Sequence, residues 1–380
     1  MISTEIRIRL SIWFSILSLL FCMNLSFVQG SMLRTLRITI ILFDLLIVFG
    51  NYRYRYGMRN PEIMIYAAVI VLSGFVNRSS NDAFSQAVLY AGMILASYLI
   101  MGCAQIKYGE DELLSSLERV LMVIMVLVDF FIIIRGGSGT HIAGRTDEFY
   151  YIGSKFTISY FNMLLLAFLM RSCKNKFKIP ILCVSMIMIG ISYMVDCMTG
   201  VTGLLVMILL YILEDKIEDI ITKPIVLVGT TILSGVFALA MQIVVNLKPV
   251  QWFLVNIVNT DLEMTGRASI FAILGRLLVR KPFLGYGYGN TIVKKNLGYG
   301  NPQNGLFDIG IAYGIIGIIA FLLVIYIASR SRKNRREINQ REYPILVFIY
   351  AMIVCGTVEI NFSILFFISL SLYKNREVAT

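Results

Sequence analysis

The residues best suited to chemistry lie in one stretch, and an arginine leads them. The segment TGRASIFAILGRLLVRKP over 265–282 reads as a short amphipathic helix, with Thr265 as N-cap and Pro282 as its stop. At about 100° per residue, Ile270, Phe271, Leu274, Leu277 and Leu278 form one apolar arc. Arg276 and Arg280 fall together away from it, and with Lys281 they read as a solvated or headgroup-facing surface. Arg267 falls inside the arc, at the helix N-terminus. A guanidinium held there out of water needs an anion. Phosphate suits it, because guanidinium grips phosphate with a fork of N–H donors and a helix N-terminus also favours negative charge. An ion pair with Asp261 or Glu263 is the plain structural alternative.

The chain continues as KPFLGYGYGNTIVKKNLGYGNPQNGLFDIGIAYGIIGII over 281–319. Its Gly-Tyr content reads as turns where backbone approaches a ligand or a neighbouring helix. Tyr286, Tyr288 and Tyr299 suit stacking on a sugar ring, or a place in an interfacial aromatic belt. Gln303 and Asn304 stand at the mouth of the next apolar run, where Gly310, Gly314 and Gly317 favour close helix packing. Glu148, Asp147, Glu263 and Asp308 are candidate bases. His141, the single histidine, joins them, although a lone histidine in a polar loop is more often a surface residue. The six cysteines are scattered and no Cys/His/Asp cluster has ligand spacing, so neither a metal, a cofactor nor a disulfide framework is expected.

The elements that must position these residues are apolar. Hydrophobic residues make up 58% of the chain and charged residues 15%, with mean hydropathy +0.78. A soluble domain carries about 25% charged residues, so lipid is expected to solvate most of this one. The net charge of +11 is spread between apolar runs, which points to basic loops rather than to nucleic acid. A spanning helix needs about 20 apolar residues. Runs of that kind fall at 10–28, 36–50, 61–77, 83–104, 119–134, 156–170, 179–196, 199–214, 224–246, 305–328, 344–358 and 360–373. The expected fold is therefore an all-α integral membrane protein, one polytopic unit over 1–380 with about twelve transmembrane helices. The pairs 179–196/199–214 and 344–358/360–373 lie so close that either suits a re-entrant hairpin.

With the N-terminus inside, inner segments carry 21 of the 34 basic residues and outer segments 13, seven of them in the long loop 247–304. Both termini are thus expected to be cytoplasmic, with SRSRKNRREINQRE (329–342) as the inner anchor and no cleaved leader. The outer loops 135–155 and 247–304 are then the places for chemistry. Asp44, Asp129, Asp196 and Glu359 lie in or beside apolar runs, and Asp44, the most embedded, is expected to pair with a neighbouring helix or to line a wet cavity.

Gly266-Arg267, then Pro282-Phe283-Leu284-Gly285-Tyr286-Gly287, Gln303-Asn304 and Gly314-Ile315-Ile316-Gly317 follow one another in an order and spacing that resemble the Wzy polysaccharide polymerase and O-antigen ligase superfamily. The resemblance covers roughly 265–320. Gly144-Arg145 and Asn162 match its earlier outer loop less closely. The resemblance implies a metal-independent membrane glycosyltransferase. It would join isoprenoid (undecaprenyl) diphosphate-linked oligosaccharides into capsular or O-antigen-type polysaccharide. The place would be the outer face of a bacterial plasma membrane, with a flippase and a chain-length regulator as partners. Arg267 and Arg145 would stabilise the diphosphate leaving group, with Gln303 and Asn304 beside them and Tyr286, Tyr288, Tyr299 and Arg276 on the substrate. Gln303 stands where ligases have a histidine, and glutamine is no base, which leans the reading towards polymerase. A ligase and a lipid-linked sugar flippase or secondary transporter are the alternatives.

Overall fold

Each apolar run folds around a helix, which lets its backbone N–H and C=O groups pair with one another. The structure is a computed structural model that describes residues 4–25, 28–50, 60–79, 83–141, 148–173, 178–245, 247–249, 252, 267–297, 302, 304–330, 342–355 and 363–374. These residues form fifteen helices and three short strands. In chain order they are α1 (Thr4–Leu20), α2 (Gly30–Gly50), α3 (Pro61–Val76), α4 (Ala83–Tyr108), α5 (Glu110–Ile134), β1 (Thr140–His141), β2 (Glu148–Tyr150) and β3 (Gly153–Ser154). There follow α6 (Lys155–Ser172), α7 (Lys178–Met194), α8 (Met198–Ile212), α9 (Glu214–Ile221), α10 (Pro224–Val245), α11 (Arg267–Arg280), α12 (Ile292–Leu297), α13 (Gly305–Arg330), α14 (Tyr343–Val354) and α15 (Ser363–Tyr373). The strands pair antiparallel in the order β1-β2-β3, inside a segment expected to be an irregular loop.

The expectation of about twelve transmembrane helices is overturned. Two helices of the described residues are long and apolar enough to cross a membrane, Phe84–Tyr108 and Gly305–Arg330. A third is reached if α8 and α9, bent by 102°, count as one broken span. The multi-pass plasma-membrane placement falls with the count. So does the polymerase at an outer face, together with the ligase and transporter alternatives, since all rest on many spans. Length and charge are the physical reasons. A crossing takes about 30 Å, or 20 residues at 1.5 Å each. Helices α3, α7, α8, α14 and α15 have 16, 17, 15, 12 and 11 residues. Helices α2 and α5 are longer, at 21 and 25 residues, but carry Arg34, Arg37 and Asp44, and Glu118, Arg119 and Asp129. Helix α6 has Lys155, Thr157, Ser159 and Asn162 in its first half.

Helices α3, α4, α13 and α15 pack on one another around an aromatic knot. Tyr66 lies 5.3 Å from Phe367 and 5.9 Å from Phe321, ring centre to ring centre. Helices α6, α7, α8 and α14 form a second packed group, and α10 packs against both α13 and α14. The end of α15 is fastened by a buried ion pair. Lys374 Nζ donates to Glu62 Oε1 (2.7 Å) and Asn60 Oδ1 (2.9 Å) at the start of α3. Of the two settings expected for Asp44, a partner on a neighbouring helix is not found among the described residues. Asp44 is fully buried, and neither carboxylate oxygen has a hydrogen-bond partner among the described residues.

Candidate functional site

The site is built on a break in α13. At Gly314 the backbone takes φ 67° and ψ −166°, a region open in practice only to glycine. A broken helix leaves backbone groups unpaired, and buried ones must find partners. The Pro282–Gly287 turn supplies them. Tyr286 N donates to Ile311 O (2.8 Å) and Gly287 N to Ala312 O (2.9 Å). In return Ile315 N donates to Pro282 O (2.7 Å) and Ile316 N to Phe283 O (3.3 Å). The fit leaves no room for side chains. A Cβ at Gly314 would meet Phe283 O at 2.2 Å, and one at Gly285 (φ +61°) would meet Ile311 O at 2.3 Å. The glycines expected to favour helix packing therefore include one, Gly314, that ends a helix segment instead.

Helix α3 braces this joint. The Ser73 hydroxyl lies 2.6 Å from Leu284 O and 2.9 Å from Ala312 O. Buried Asn77, just past α3, donates through Nδ2 to Ser73 O (2.9 Å) and Gly285 O (3.2 Å). Its Oδ1 accepts from Lys281 Nζ at 2.7 Å. The Lys281 ammonium also lies 5.1 Å from the centre of the Tyr286 ring. The lysine read as plain surface charge is thus pinned at the mouth of the turn.

Behind the turn lie four phenols. Tyr288 stacks on Tyr90 of α4, with ring centres 4.6 Å apart, and Tyr66 meets Tyr313 edge-on at 6.2 Å. Tyr66 and Tyr313 are fully buried, and neither hydroxyl has a hydrogen-bond partner among the described residues. Opposite charges flank Tyr288: Asp308 from the first turn of α13, and Arg37 from α2. Burial first, and Asp308 second, push the Tyr288 hydroxyl up to about 12, while Arg37 opposes the rise. The phenol therefore keeps its proton at neutral pH and remains a donor. Arg37 donates to Met23 O (2.6 Å), and its buried Nε is unpartnered among the described residues. One turn earlier, Arg34 reaches Ser85 Oγ on α4 at 3.4 Å. Arg78 stacks over Phe75 at 4.6 Å, next to Asn77. Arg34, Arg37, Arg78 and Lys281 thus come to one end of the bundle from three separate parts of the chain.

The structure sorts the residues singled out from sequence. Tyr286, Tyr288 and Asp308 fall at this joint, and Asn304 precedes the helix that carries its break. Neither tyrosine offers a free face in the expected way, because Tyr288 is stacked and the Tyr286 hydroxyl donates to Leu277 O (3.1 Å), holding α11 to the turn. Asn304 is a helix cap. Its Oδ1 accepts from Leu306 N (3.1 Å) and Phe307 N (3.2 Å), and its Nδ2 reaches Ser234 O (3.3 Å). Glu148 lies elsewhere, in the strands, where its Oε2 accepts from Gly139 N (2.9 Å) and lies 3.4 Å from the Tyr150 hydroxyl. Arg276 is exposed on α11. Arg145, Glu263, Tyr299 and Gln303 lie outside the described residues, as do the side chains of Arg267 and His141. Sequence reading missed Arg37, Ser73, Asn77, Tyr66, Tyr90 and Tyr313. An asparagine closing an apolar run, Asn77, was the one local signal available.

No protein-family model, curated protein or solved structure matches the chain. Among the described residues no group of His, Cys, Asp and Glu is arranged to hold a metal. What the joint offers is a set of cations, phenol donors and one carboxylate around a rigid turn. That set suits an anion with several oxygens.

Proposed function

We propose that this chain binds a phosphate-bearing, lipid-linked ligand at the turn–helix joint. The gathering of Arg34, Arg37, Arg78 and Lys281 at the end of the bundle that holds the glycine-rich turn carries the reading, with Lys281 beside the turn itself. Guanidinium and ammonium groups beside buried phenol donors suit phosphate oxygens. The lipid part follows from the two helices long and apolar enough to cross a membrane, since both border the joint: α4 through Tyr90 and α13 through its break. The resemblance of 265–320 to the Wzy superfamily supports the same ligand chemistry, an isoprenoid diphosphate carrying a glycan. Metal-independent group transfer on that ligand, with Asp308 as the carboxylate at hand, is the enzymatic form of the proposal. Joining repeat units into polymer is no part of it.

The test is direct titration of the purified full chain in non-ionic detergent with farnesyl diphosphate. A charge-assisted hydrogen bond is worth about 1.5–3 kcal/mol, or roughly 10- to 100-fold in affinity. Lys281→Gln and Arg37→Gln are each expected to weaken binding by at least tenfold, measured at a temperature where both variants remain folded. Unchanged affinity in both variants would remove the cations, and with them the reading.

A further inference from the structure

A second cation stands apart from that joint, at the C-terminal end of α5. Arg135 follows the last helical residue, and its guanidinium lies 5.5 Å from the centre of the Tyr151 ring. Phe131 packs on the same ring at 5.3 Å. Together with Ser138, Thr140 and Tyr150 these residues line a pocket between α5 and the three-stranded sheet. The sheet holds the pocket in shape. Gly139 N is bound by Glu148, and the Tyr150 hydroxyl lies 3.0 Å from Gly137 O. No carboxylate among the described residues pairs with Arg135. One face of its guanidinium is covered by an aromatic ring, while the in-plane N–H donors stay open to an anion.

An apolar stripe runs down α5 from this cation. Val123, Leu127, Phe130 and Ile134 are spaced by four, three and four residues, so they fall on one line of the helix. They are 62%, 55%, 57% and 65% exposed. Asp129 turns away from the line to accept from Asn162 Nδ2 at 3.2 Å. The stripe covers roughly 16 Å at 1.5 Å per residue, close to the roughly 15 Å depth of one leaflet of a 30 Å hydrocarbon core. A row of large apolar side chains this exposed marks a surface that something apolar covers. An aromatic-rimmed arginine at its end specifies what heads that cover.

We propose that this surface binds a phosphate-headed lipid. Arg135 holds the phosphate in a forked contact, and Tyr151 and Phe131 flank the headgroup. One acyl chain lies along Val123, Leu127, Phe130 and Ile134. The site shares no residue with the turn–helix joint, so it stands whether or not that joint binds its proposed ligand.

The experiment is photolabelling of the purified full chain in non-ionic detergent with a phosphatidic acid analogue carrying a diazirine in its acyl chain. Adducts are mapped by peptide mass spectrometry. Adducts are expected on residues 120–135. They should fall at least fivefold with Arg135→Gln, an exposed substitution, and at least fivefold when the analogue is a diacylglycerol without phosphate. Lys281→Gln should leave them unchanged, which separates this site from the joint. Equal labelling of 120–135 in Arg135→Gln, equal labelling by the diacylglycerol analogue, or labelling confined to 281–297 would each overturn the proposal.

Discussion

Alanine at Gly314 is expected to lower the unfolding free energy by about 3–5 kcal/mol and to abolish ligand binding at the turn. The first cost is backbone strain, about 1–3 kcal/mol for a side chain forced into a glycine-only region. The second is contact. The new Cβ would lie 2.2 Å from Phe283 O and 2.3 Å from Phe283 C, both backbone atoms that cannot rotate aside. Relief requires the turn to move off the helix, which breaks the exchange of hydrogen bonds between 282–287 and 311–316, each worth about 1 kcal/mol net. Once the turn moves, Asn77 loses Gly285 O and Lys281 loses its anchor. Gly275→Ala in α11 is the control, because a Cβ there meets nothing within 4 Å. Alanine inside a helix should be neutral or mildly stabilising. Denaturant unfolding in detergent, paired with farnesyl diphosphate titration, checks both effects. Wild-type stability in Gly314→Ala would mean that the break is not held by the turn.

The second large effect is expected at the opposite fastening. Lys374→Met should cost about 3–5 kcal/mol, because it strands a buried carboxylate. The Glu62 side chain is 1% exposed and that of Lys374 10%, so water cannot replace the lost ammonium. The Tyr98 hydroxyl, 3.4 Å from Glu62 Oε1, is too weak a substitute for a cation. The double variant Glu62→Gln/Lys374→Met should be more stable than Lys374→Met alone, since it removes the stranded charge along with its partner. Thermal unfolding of the three proteins decides this. A double variant less stable than Lys374→Met would show that Glu62 is satisfied without the lysine.

The positions of the helices were legible in the hydropathy of the chain, and the number of crossings was not. Apolar runs locate helices but do not say where each one stops. The run at 199–214 shows why: the helix ends at Ile212 and turns by 102° into the charged helix Glu214–Ile221. The runs containing α2 and α5 read as spans, yet the first helix carries three charged residues and the second six.

The candidate site was half legible. The sequence singled out Pro282–Gly287 and Gly314, and the structure brings the two segments together, each completing the other's hydrogen bonds. Its other members were invisible, because Arg37, Asn77 and Lys281 are related by packing and not by spacing. Asn77 and Lys281 meet across 204 residues of chain. Asn304 was read as half of a catalytic pair. An asparagine immediately before a helix is first of all a cap, and its contacts to Leu306 N and Phe307 N are those of one.

The proposed function rests on recognition of phosphate by the turn–helix joint. The affinity of the unaltered chain for farnesyl diphosphate, measured against its affinity for farnesol in the same detergent, tests it most directly. The two ligands share their hydrocarbon and differ in the anion. With at least two cations engaged at about 1.5–3 kcal/mol each, the diphosphate should bind about 100-fold more tightly or better. Equal affinity for the alcohol would contradict the account.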